Sequence, residues 1–131
     1  MAIKTNEESF IIDTTGSTTG EQYKGKFTVK KWLSLADELV RDNKRRELLG
    51  PATGAVPPRI ANMATVLSEL YVRVTGEIPT WWEGDGTGLM DDEPASEIYK
   101  KALEISEKAV QSVKKDGQEA KKELAKDEPV E

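Results

Sequence analysis

Ile60, Met63, Ala64, Leu67, Leu70, Tyr71 and Val74 recur at intervals of three and four residues, which draws one broad apolar stripe along a helix. Such a stripe has to be covered. The segment is therefore expected to be the central core helix, ending near Gly76, with the remaining elements arranged around it. Met63 and Tyr71 read as packing residues within it, not as ligand-binding groups. Of the 131 residues 37% are apolar and 33% charged, enough for one modest core under a polar surface in a single domain.

Two upstream runs supply cover. FIIDTTG and QYKGKFTVKKW are rich in Phe, Ile, Thr, Tyr and Val, the composition of short strands. Between them GSTTGE holds Gly16 and Gly20, where positive φ lets the chain reverse. The result is a β-hairpin. An isolated two-stranded hairpin is marginal in water, so it is expected to pack on a helix or to join the sheet of a neighbouring subunit.

Ser34 followed by Asp37 three residues on is a short-armed capping box that opens a first helix. Leu35, Leu39 and Val40 are expected to form its apolar face, Leu48 and Leu49 its last turn, and Gly50-Pro51 its stop. Its middle, RDNKRRE, is strongly polar. PATGAVPP then holds too many breakers for regular structure and links to the striped helix. Beyond that helix come Pro79, Trp81, Trp82 and the loop EGDGTGLMDD. Adjacent residues of an extended segment point opposite ways, so one Trp should cap the core and the other stand partly exposed or at a subunit contact. A last helix is expected from Pro94, with Asp91, Asp92 and Glu93 at its positive end. Its stripe runs through Ala95, Ile98, Tyr99, Ala102, Leu103, Ala109, Val110 and Val113. The organisation expected is a polar arm over 1–9, one α+β domain over 10–116 with an N-terminal hairpin and three main helices, and a charged tail over 117–131 that orders on a partner.

Chemistry is sparse. His and Cys are absent, which removes the usual neutral-pH acid/base, the thiolate nucleophile and the best zinc ligands together. GDGTG lacks the third Gly of a dinucleotide fingerprint, and TTGSTTG lacks the Lys of a phosphate-binding loop and reads as a hairpin turn. Asp85, Asp91, Asp92 and Glu93 miss the calcium-loop spacing, because Pro94 stands where the closing Glu should be, leaving at most a weak surface cation site. Carboxylates abound without a pocket to work in, so the chain is expected to be no enzyme and to hold no cofactor or metal. The net charge of −5 lies in residues 77–99, which carry seven acids and no base. That pattern disfavours a nucleic-acid footprint and suits a basic protein partner or plain solvation. Arg41, Arg45 and Arg46 read as a solvated face or as partners for carboxylates, either across an interface or in the 83–93 loop. No apolar run has the length of a signal peptide or a membrane span, so no membrane is expected.

The order of a hairpin with YKGKF, a helix carrying RRELLG, a striped helix closing in LYVRVTGEIP, then WW, an acidic Gly loop and EIYKKALE resembles a group of small tailed-bacteriophage morphogenesis proteins, tail assembly chaperones or virion proteins. The resemblance covers residues 20–105, and its most particular pieces are Arg45 to Gly50 and Pro79 to Trp82. It implies a non-catalytic role in particle assembly, in the host cytoplasm or the virion, with no catalytic residue to carry over. Other phage structural proteins and further copies of the chain would be the partners. Tyr23, Phe27, Arg45, Arg46, Trp81 and Trp82 are the residues expected to carry subunit contacts. The competing expectation is a small regulatory or nucleic-acid-binding module using the first two helices as a helix-turn-helix-like pair.

Overall fold

The computed structural model describes residues 6–51 and 55–127. Two nine-residue strands, β1 (Glu7–Thr15) and β2 (Gln22–Lys30), form the hairpin. They pair antiparallel without a bulge, Phe10 opposite Phe27 and Ile12 opposite Gly25. The alternation is clean: Phe10, Ile12, Tyr23, Phe27 and Val29 face inward, while Ile11, Asp13, Lys24 and Lys26 face outward. Gly20 turns the loop at a φ of 75°. Gly16 serves differently from the expectation of a reversing residue: its φ is not positive, and a Cβ there would overlap the Asp91 carboxylate.

Helix α1 (Leu35–Leu49) opens on the expected capping box, with the Ser34 hydroxyl accepting from Asp37 N–H and the Asp37 carboxylate accepting from Ser34 N–H. Gly50 closes it at a φ of 69°. Helix α2 (Pro58–Arg73) starts on the proline whose fixed φ suits a first turn. It then runs directly into a strand that the periodicity conceals, β3 (Val74–Thr75), which pairs antiparallel with Thr28 and Val29 and completes the sheet in the order β1-β2-β3. The striped helix thus ends at Arg73 and not near Gly76; Gly76, at a φ of 71°, steers the chain off the sheet. Helix α3 (Glu93–Asp127) carries the second apolar stripe.

The core lies between the inner sheet face, α2 and α3. Phe27 sits at its centre, stacked on Phe10 with ring centroids 6.3 Å apart and edge-on to Trp81 and Trp82 at 5.5 and 5.9 Å. Leu67 and Leu70 from α2, and Ala95, Ile98 and Ala102 from α3, close around it. Buried Arg73 ties the layers: it donates to Glu69 at 2.8 Å, to the Lys30 carbonyl at 2.9 Å and to Ser106 at 3.4 Å, so its charge is paired and its fork is used. The α+β architecture with an N-terminal hairpin and three helices is the one expected.

Three boundaries and faces are corrected. β1 takes residues 7–9 from the expected arm, because Glu7, Glu8 and Ser9 find ladder partners in Lys30, Val29 and Thr28. α3 continues through Gly117 to Asp127, a single Gly costing a helix only about 1 kcal/mol, so the charged segment after 117 is helical as far as Asp127, which the expectation of a charged tail allows. Ile60 and Tyr71, placed on the core stripe by spacing, are about half exposed, as are Val110 and Val113. Most consequential, no residue of α1 is buried. Residues 1–5, 52–54 and 128–131, including parts of the expected arm, linker and tail, lie outside the described residues.

Candidate interaction surface

α1 is turned inside out. Most side chains it directs at the body are polar: Asp37 meets Lys30 at 3.1 Å, Arg41 meets Glu69 at 3.3 Å, Arg45 Nε meets Thr65 at 3.2 Å, and Lys44 meets Asp85 at 2.8 Å while lying 4.8 Å over the Tyr71 ring; Leu48, half-buried against the core in the last turn, is the apolar exception. The pairs 41 with 69 and 45 with 65 make α1 and α2 antiparallel neighbours. At 100° per residue, positions 37, 41, 44, 45 and 48 share this inward side, Leu35, Ala36 and Leu39 fall opposite, and Val40 lies at the flank between the two. Leu35 is 80% exposed, Leu39 68% and Val40 46%. The expected apolar face therefore exists, but it looks into solvent. The reason lies in α2, whose second side offers Thr65, Glu69 and Tyr71 to α1, a surface that charged side chains can satisfy and leucines cannot.

Asp85, Asp91, Asp92 and Glu93 of the 83–93 loop are spent inside the chain. Asp85 binds Lys44 and accepts from the Thr87 hydroxyl at 2.6 Å, and Lys44 first, then Thr87, holds its pKa down at about 2. Asp92 takes a bidentate grip from Arg59 at 2.7 and 2.9 Å. Asp91, buried to 2% exposure, accepts from the Thr19 hydroxyl at 2.5 Å, the Tyr23 hydroxyl at 2.7 Å, Thr18 N–H at 2.8 Å and Thr19 N–H at 3.1 Å. Glu93 accepts from both the N–H and the hydroxyl of Ser17. The hairpin turn is thus clasped onto the start of α3. The Thr19 hydroxyl first, then Tyr23 and the two N–H groups, holds the Asp91 pKa at about 2 against the effect of burial, and the same Asp91 bond raises that of Tyr23. A carboxylate saturated by four donors is a poor proton acceptor near neutrality, so this cluster works as a fastening. The four acids proposed for a surface cation each face a different partner, and among the described residues no group of carboxylates converges on a metal-sized site.

The residues expected to carry subunit contacts are divided by the fold. Tyr23, Phe27 and Trp82 are core, exposed by 3%, 0% and 4%. Trp81 is half-buried and donates its indole N–H to the Lys24 carbonyl at 3.1 Å. Its rim borders an open groove of about 610 Å³ beside Lys24, Lys26, Glu77 and Ile78. Arg45 and Arg46 are exposed on α1, Arg46 holding Asn43 at 3.3 Å. Of the basic residues on α1, Lys44 reaches the acidic loop, not Arg45 or Arg46. Leu35, Leu39 and Val40 are the surface residues that spacing assigned to the wrong side; the signal that identifies them is the run of charges at 37, 41, 44 and 45, spaced as a helix face that makes ion pairs.

Among the described residues no helix is long and apolar enough to cross a membrane. Compared with models of known protein families, with characterised proteins and with solved structures, the chain matches none of them.

Proposed function

We propose that this chain is a non-enzymatic docking protein in the assembly of a tailed-phage particle, and that the outward face of α1 is where it engages another subunit. One observation carries the reading: α1 is fixed to the body by capping, ion pairs and hydrogen bonds while Leu35, Ala36 and Leu39 are held outward on a preformed helix, with Val40 at the rim of that face. A rigid, presented apolar face binds without a large ordering cost. The occupant that fits is a helix of a particle subunit with an apolar stripe, flanked by basic side chains on the side that meets Glu38 and Asp42. The phage context comes from the sequence resemblance, and the absence of His and Cys together with the saturated Asp91 supports a role without catalysis.

The regulatory alternative draws less support. Arg41 and Lys44 are turned into the chain, so α1 presents few cations for phosphates. The test is a photo-crosslinking amino acid placed at position 40, with position 111 on α3 as the control, during particle assembly. The docking reading expects crosslinks from 40 to an identified particle subunit and none from 111. Equal labelling from both positions contradicts it, and crosslinks to nucleic acid favour the alternative.

A further inference from the structure

We propose that β1 pairs antiparallel with β1 of a second copy of this chain about Ile11, fusing two three-stranded sheets into one of six strands across a twofold axis. This goes beyond the docking role of α1 and is independent of it. β1 is an edge strand. Just beyond the ladder ends, Lys31 N–H donates to the Asn6 carbonyl and Gly16 N–H to the Glu21 carbonyl, which places the even-numbered β1 residues in hydrogen-bonded pairs with β2. The odd-numbered residues Glu7, Ser9, Ile11, Asp13 and Thr15 therefore aim N–H and C=O away from β2. The strand has no proline, no lysine and no bulge to blunt that edge. Ile11, 68% exposed in the middle of the outer face, is the one large apolar side chain there.

Alternation restricts the register. Outward-aimed residues must meet outward-aimed residues, so the two strands slide past each other only in steps of two. Centring on Ile11 overlaps the whole strand and pairs Ile11 with its own copy, Ser9 with Asp13, Glu7 with Thr15, Phe10 with Ile12 and Glu8 with Thr14. Every pair is apolar with apolar or acceptor with hydroxyl, and about ten backbone hydrogen bonds close. A slide one way sets Glu7 against Asp13; a slide the other way sets Ile11 against Asp13. Inside, Phe10, half-buried at the edge, gains the second copy's Ile12.

Sedimentation of the full chain at about 0.1 mM, a concentration that captures a modest association, should give twice the 14.5 kDa chain mass. Ile11→Glu should be monomeric with an unchanged circular dichroism spectrum, since a Glu faces Lys26 within its own hairpin but another Glu across the axis. The natural absence of Cys allows the register to be read by oxidation. Ile11→Cys should crosslink to itself, its Cα atoms about 5.5 Å apart as in a hydrogen-bonded pair. Ser9→Cys and Asp13→Cys should crosslink when mixed at least about tenfold faster than either alone, as paired thiols have high effective concentration. A monomeric parent, a dimer that survives Ile11→Glu, or Ser9→Cys that self-couples as fast as the mixture would each overturn the pairing. None of these readouts touches α1, so failure here leaves the docking reading standing, and the reverse.

Discussion

Replacing Leu35 and Leu39 together by Ala asks whether α1 shows its apolar side to water in the free chain. Full burial of a leucine side chain is worth about 1.5–3 kcal/mol. With 80% and 68% of these residues exposed, only about a fifth and about a third of that applies, near 0.3–0.6 and 0.5–1 kcal/mol. Ala returns a few tenths through its helix propensity. The double variant should therefore lose about 1 kcal/mol or less, whereas Leu70→Ala, at a site with no exposure, should lose about 2–5 kcal/mol through transfer and cavity together. Urea unfolding followed by circular dichroism reads both, with m unchanged and only the midpoint moving. A loss for the pair as large as that of Leu70→Ala would mean that the face is packed in the free chain and would overturn its assignment to solvent.

Other consequences follow from the same contacts. Asp91 and Asp85 have folded pKa values of about 2, below the ordinary carboxylate range, so their contribution is complete above about pH 4 and is lost as pH falls toward 2; the urea midpoint should drop across that window, and Asp91→Asn should flatten the drop. Trp82→Ala should cost about 3–5 kcal/mol by chemical unfolding, and Trp81→Ala clearly less, since Trp81 is only half-buried; equal costs would contradict the division of the pair. Arg45→Glu with Arg46→Glu should leave the unfolding midpoint within about 0.5–1 kcal/mol of the parent while impairing assembly, and unchanged particle yield would remove these residues from the interface.

Local signals were readable wherever a residue acts on its own neighbours. Ser34 and Asp37 cap α1, Gly50 ends it and Gly20 turns the hairpin, because each depends on contacts or dihedrals within a few positions. The α2 stripe was readable in its middle, at Ala64, Leu67 and Leu70, and misleading at Ile60 and Tyr71, which are about half exposed, Tyr71 lying under Lys44 of α1. The Asp91 clasp spans 68 to 73 residues of sequence, and neither TTGSTTG nor MDDEP alone announces it. The orientation of α1 was hidden for a deeper reason. A helix stripe says which residues share a face but not which face the body will take, and here Thr65, Glu69 and Asp85 make the polar side the better fit. Two-residue β3 carries too little pattern to stand out from the helix it follows.

The most direct test of the docking role is quantitative mass spectrometry of particles and lysate from cells assembling them with either the parent chain or Leu35→Ser/Leu39→Ser. The variant should accumulate as a folded protein while particle yield, or its copy number in particles, collapses. Normal yield with normal incorporation of the variant would contradict the docking role.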